Sequence, residues 1–167
     1  MSGLSDFDAI TRIVLSLVAG GAIGFERERS NKSAGLRTYA LVCEGAALFM
    51  IASLLLGELA RDAGATEYDP SRIGSTIVQG IGFLAAGLIF VSGSRVRGLT
   101  TAAAIWVTAA VGLLIGAGFY TVAFSGTVAT LVVLILLQRL EDRFITPDRR
   151  DSVSMNEQAD LDEDPVS

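Results

Sequence analysis

Apolar residues along this chain run together instead of recurring at a helical or strand period, and they do so in five stretches, at about residues 7–25, 36–60, 73–92, 98–118 and 119–140. A water-soluble domain would carry a polar face along such segments. Here whole stretches lack one, and each is close to the ~20 residues that cross a ~30 Å hydrocarbon layer. Only helices and closed barrels satisfy the backbone in a bilayer, and the short alternating segments of barrel strands are missing. Strand periodicity is absent. The pattern therefore predicts an all-α, polytopic membrane helical bundle of about five transmembrane helices over residues 1–147. The last two stretches are divided only by a weak turn signal around Gly116, Gly118 and Tyr120, so a re-entrant pair is the alternative there. Asp6 and Asp8 precede the first stretch where a cleavable signal would have Lys or Arg, and charge follows it, so it is expected to remain as a span.

Composition strengthens this reading. Hydrophobic residues make up 51% of the chain and the mean hydropathy is +0.53, beyond an ordinary soluble domain. Eighteen glycines include pairs four apart, Gly20 with Gly24 and Gly112 with Gly116, and a small-residue row at Gly80, Gly82, Ala86 and Gly87. Such spacing lets helices approach closely, within one chain or in a homo-oligomer.

Charge divides the chain. Residues 1–147 carry 11 acids and 11 bases, whereas residues 148–167 carry seven acids and two bases, which accounts for the net charge of −5. The sequence "DRRDSVSMNEQADLDEDPVS" has too little apolar surface to offset the cost of ordering, which predicts an acidic, disordered cytoplasmic tail. With the N-terminus outside, ten Lys and Arg residues fall on the cytoplasmic side and only Arg12, Arg61 and Arg72 fall outside. The rule that basic residues favour the cytoplasm predicts N-terminus out and C-terminus in.

Histidine is absent and the lone Cys43 sits in an apolar run, so no disulfide within the chain, nucleophile–base–acid set or metal-ligand spacing can be assembled. The expectation is a non-enzyme without cofactor and without nucleic acid as partner. "GIGFLA" at 80–85 fits a dinucleotide-binding glycine pattern, but no strand precedes it. Asp62, Glu67 and Asp69 lie in one connection, where Asp69 and Pro70 suit a helix start and a divalent cation is the weaker alternative.

Most polar candidates cluster at predicted membrane boundaries. Glu26, Arg27, Glu28 and Arg29 end the first span, and Arg37 begins the second. Glu26 and Arg37 flank a short connection, where an ion pair would fix how the two helices meet or form a docking point for another protein. Glu44 lies eight residues past Leu36, ~12 Å inside the hydrocarbon at ~1.5 Å per residue. A carboxylate there costs on the order of 3 kcal/mol when charged, so it should face the bundle or water, or be protonated. Ser16 and Thr108 fall at similar depth, which makes a hydroxyl the preferred partner, and Gln79 is a further intramembrane polar candidate. A structural hydrogen bond and a proton or cation site both remain open for Glu44.

Six stretches in order, "GGAIGFERE" (20–28), "AGLRTYALV" (34–42), "GAALFM" (45–50), "DPSRI" (69–73), "GIGFLAAG" (80–87) and "RGLTTAAAIWVTAAVG" (97–112), resemble the membrane domain of the MgtC/SapB (MgtC/SapB/SrpB/YhiD) family of bacterial inner-membrane proteins. By resemblance the motif residues are Glu26, Arg27, Gly35, Arg37, Thr38, Asp69, Pro70, Arg72, Gly82, Gly98, Thr101 and Trp106. The resemblance implies a multi-pass protein of the cytoplasmic membrane, linked to magnesium homeostasis, whose partners are the lipid bilayer and another membrane complex such as ATP synthase. This chain departs from the pattern at Tyr39, Glu44, Ala85 and Ala104. Two functions follow as expectations: regulation of membrane energetics by lateral contact with another complex, or a cation (magnesium) or proton transporter or channel.

Overall fold

The computed structural model of the chain describes residues 4–64, 69, 71–92 and 95–144. These residues fall into two units, one up to Leu131 and one from Val132. Within the first unit, α1 (Asp6–Arg29), α2 (Leu36–Asp62), α3 (Ser71–Ala86), α4 (Leu99–Ala117) and all but the last residue of α5 (Tyr120–Val132) follow one another, with a small hairpin, β1 (Phe90–Ser92) and β2 (Arg95–Arg97), between α3 and α4. The second unit holds a π-helical turn, Val133–Leu137, packed on the short α6 (Gln138–Phe144). The acidic tail read at 148–167 and the Pro70 ring lie outside the described residues.

The helices start and stop for local reasons. Ser5 caps α1, its hydroxyl oxygen accepting the Asp8 amide at 3.2 Å, and Asp6 and Asp8 complement the positive end of the helix dipole while Arg27 and Arg29 complement the negative end. Gly118, at φ +89°, ends α4 in the left-handed region, after which Tyr120 opens α5. The weak turn signal at 116–120 is therefore a true break between two helices.

Among the described residues four runs are long and apolar enough to cross a membrane: Asp6–Arg29, Leu36–Asp62, Leu99–Ala117 and Tyr120–Leu140. The third expected span is different. It is helical for only 16 residues and ends at Ala86, where i→i+3 bonds from Leu88 to Ala85 and from Ile89 to Ala86 tighten the chain into the hairpin. Among the described residues the bundle is all-α apart from this one hairpin, with Phe90 opposite Arg97, Val91 opposite Val96 and Ser92 opposite Arg95 in an antiparallel pair. Each strand is three residues long, too short for a period of two to register against the surrounding apolar run. Gly98 then turns into α4 at φ +88°, with its α-carbon against the Leu88 carbonyl, a place only glycine fits.

Helix α2 is the centre of the bundle, packed against α1, α3 and α4. The two glycine pairs explain why. A β-carbon on Gly24 would stand 2.8 Å from the Leu36 α-carbon, and one on Gly20 would meet Cys43 at 2.6 Å; on the other side Gly112 closes on the Cys43 backbone and Gly116 on Ala47 and Met50. Both pairs therefore serve packing within the chain, onto α2. Cys43, with Val111, Ile115 and Ala123, forms the buried core. The contacts run α1 antiparallel to α2, α4 parallel to α2, and α3 antiparallel to both, since Gly74 meets Leu113 while Ile81 and Trp106 share a cavity.

Candidate functional site

One end of the bundle collects most of the polar machinery. The buried face of α1 carries Ser16, Gly20, Ile23, Gly24 and Arg27, the i, i+3, i+4 rows of one helical stripe, so Arg27 points into the bundle as surely as Ile23 does. It is 1% exposed. Its guanidinium meets the neighbouring Glu26 carboxylate as a fork, Nε at 2.7 Å from one oxygen and Nη2 at 3.0 Å from the other. Ser30 donates its hydroxyl to the same carboxylate at 2.9 Å. A planar, always-charged guanidinium suits such a dry two-point contact better than an ammonium.

Glu28 acts differently. Gly35, which caps α2, has no side chain to bond, and the Glu28 carboxylate supplies the missing acceptor by taking the Leu36 amide at 2.8 Å. The charge knot thus stitches α1 to the start of α2. Tyr39, fully buried one turn further on, donates its phenol hydroxyl to the Thr101 carbonyl at 3.2 Å, tying α2 to the start of α4. Glu26, Arg27, Gly35, Thr101 and Gly98, five of the motif residues, are therefore brought to one end of the bundle, the last as the α4 cap.

Arg37 is placed elsewhere. The expected Glu26–Arg37 pair gives way to Glu26–Arg27, because Arg37 precedes Tyr39 by two positions and so stands ~200° around α2 from the side that faces α1. Arg37 is exposed and has no hydrogen bond or ion pair among the described residues. With Thr38 it stands in an open groove of about 850 Å³ between α2 and α3. Asp69, Arg72 and Gln79 are exposed, Arg72 donating its amide to the Asp69 carbonyl at 3.4 Å. Gly82 faces open space, and Trp106, half-exposed on α4, lines a second cavity of about 260 Å³ against α3.

The intramembrane candidates do not converge. Ser16 and Thr108 are both fully buried, but Ser16 donates to the Ile13 carbonyl at 2.7 Å and Thr108 to the Ala104 carbonyl at 2.8 Å, each within its own helix. Neither bonds to Glu44 among the described residues. Glu44 follows the core residue Cys43 by one position, ~100° off the buried stripe, and is accordingly half-buried. Among the described residues no group of three or more acids, histidines or cysteines could hold a metal.

Sequence reasoning passed over one cation. Arg12, read only as an outside charge, reaches from α1 to the far end of α4 and donates Nη1 to the Gly116 carbonyl at 2.6 Å. Its only sequence signal is a base inside an apolar run.

The sequence profile of the MgtC family matches residues 13–143. The chain belongs to the MgtC family. An Escherichia coli K12 protein named "Putative magnesium transporter YhiD" is 46% identical over 136 residues, covering 81% of this chain and 63% of that one. Protein MgtC of Brucella abortus strain 2308 is 46% identical over 125 residues, 75% of this chain and 49% of that one. Protein MgtC of Salmonella typhimurium strain 14028s is 39% identical over 137 residues, 82% of this chain and 55% of that one. The chain thus spans about half to somewhat under two thirds of the length of these relatives. No solved structure matches it. The matched region of this MgtC-family membrane protein contains the Glu26–Arg27–Tyr39–Thr101 end and all of α1 to α4 beyond the first residues.

Proposed function

We propose that this chain is a magnesium-linked regulatory protein of the bacterial cytoplasmic membrane that acts by lateral contact with another membrane complex, ATP synthase being the partner the MgtC resemblance offers. The observation that carries this reading is the local closure of the interior polar groups. Ser16, Thr108 and Thr127 each bond to a carbonyl of their own helix, Arg27 bonds to its neighbour Glu26, and Tyr39 ties α2 to α4 through Thr101, so these groups are satisfied locally instead of lining a route. Apolar outer faces and open small positions such as Gly82 suit contact with another helix. The magnesium link rests on the relative named as a magnesium transporter.

Transport of magnesium or protons is the second reading, favoured by that relative's name and by Glu44, an ionisable group at membrane depth. Purified full-length chain in liposomes, assayed for magnesium and proton flux, separates the two. The regulatory reading expects flux equal to empty vesicles and recovery of ATP synthase subunits with the tagged chain from gently solubilised, magnesium-limited cells. Flux that depends on the chain, or a chain recovered without those subunits, overturns it.

A further inference from the structure

The groove between α2 and α3 is apolar along its length and polar at one end. Leu41, Val42, Phe49, Ile77, Ile81 and Leu84 line it, while Arg37 and Thr38 stand at the α2 N-terminal end. The one other hydroxyl on its wall, Thr76, donates to the Arg72 carbonyl of its own helix at 3.1 Å, so it offers no donor to an occupant. Gly45 and Gly80 widen the groove: a β-carbon on either would meet nothing within 4 Å.

Three features fit one occupant. The walls carry exposed apolar side chains, Leu41, Phe49 and Leu84. From Arg37 to Phe49 the groove rises ~18 Å at ~1.5 Å per residue, close to the ~15 Å of half a hydrocarbon layer, which is the reach of acyl chains from one leaflet. The charge is complementary to a phosphate: Arg37 is a permanent cation at the boundary, without a partner among the described residues, and the nearest acid in sequence across the α1–α2 connection, Glu28, is held by the Leu36 amide. Basic residues in pockets between transmembrane helices hold anionic headgroups in this way. We propose that this groove binds one anionic phospholipid, its phosphate on Arg37 and Thr38 and its acyl chain between α2 and α3. The site is independent of whether the protein regulates a partner or moves an ion.

The test uses the delipidated full-length protein in mild detergent, titrated by native mass spectrometry with phosphatidylglycerol or with phosphatidylcholine of the same acyl chains. One phosphatidylglycerol should bind per chain at least about fivefold more tightly than phosphatidylcholine, the preference that a single cation at an anionic interface supports. Arg37→Ala should remove the preference and Arg37→Lys should keep most of it. Gly45→Leu and Gly80→Leu project a side chain into the groove from positions where an added β-carbon meets nothing within 4 Å, so both should retain the wild-type melting temperature and lose the bound lipid. Equal binding of the two lipids by wild type, an undiminished preference in Arg37→Ala, or full lipid retention in both folded glycine variants overturns the proposal. So does a wild-type dimer that the glycine variants convert to monomer with lipid binding unchanged, because a second copy would then be the occupant.

Discussion

Arg27 and Glu26, neighbours in sequence, meet as a forked ion pair at 2.7 and 3.0 Å, with Arg27 only 1% exposed in the last turn of α1. Adjacent helical residues do not normally face each other. The contact forms because the long Arg27 stem is committed to the α2 side and its head folds back on the Glu26 carboxylate, which Ser30 also holds. Removing one partner leaves a buried charge without its counter-ion. Arg27→Ala is therefore expected to cost ~3–5 kcal/mol and to lower both membrane yield and the melting temperature in detergent, whereas Arg27→Met with Glu26→Gln should recover much of the loss. Equal melting of the single variant and wild type would show that the pair does not hold the bundle.

The glycines that press on α2 and the glycine that faces open space should behave oppositely. Gly24→Val and Gly112→Val insert carbons into the α2 backbone and are expected to cost at least ~1–3 kcal/mol, seen as a lower melting midpoint. Gly82→Ala meets nothing and improves helix propensity, so its midpoint should stay level or rise. A Gly112→Val protein as stable as wild type would mean that α2 and α4 are not in this register.

Arg12 stabilises the α4–α5 turn by meeting a carbonyl at the negative end of α4. Loss of a hydrogen bond to a charged donor predicts ~1.5–3 kcal/mol of destabilisation for Arg12→Met. Thermal unfolding followed by intrinsic fluorescence reads this directly, and an unchanged midpoint would remove Arg12 from the account.

Glu44 separates the two functional readings. Glu44→Gln keeps shape and hydrogen-bonding capacity but removes the ionisable proton, and the regulatory reading expects it to fold and to complement growth in low magnesium as wild type does. Normal assembly with complete loss of complementation would favour the transport reading instead.

The orientation drawn from basic residues predicts that a phosphatase fused after Asp62 is active outside the cytoplasm, while one fused after Lys32 is inactive. The reverse pattern would invert the bundle and place the Arg27–Glu26 end on the outer side.

Apolar run lengths alone determined that this chain makes membrane-spanning helices, because a bilayer accepts few other backbones and the choice is made by composition over ~20 residues. The glycine pairs likewise announced close helix approach, and the charge knot announced the junction of the first two spans. Which surfaces those features met was decided by tertiary structure. That both pairs close on α2, that Arg27 and not Arg37 answers Glu26, and that Glu28 caps a helix eight residues away all depend on how each helix is rotated about its own axis. Rotation is set by the sum of many small contacts across three neighbours, and no short stretch of sequence encodes it. The hairpin at 90–97 escaped notice for a related reason: its strands are too short to show a period, and they exist because α3 stops at Ala86 and the chain must turn back to begin α4 beside α2.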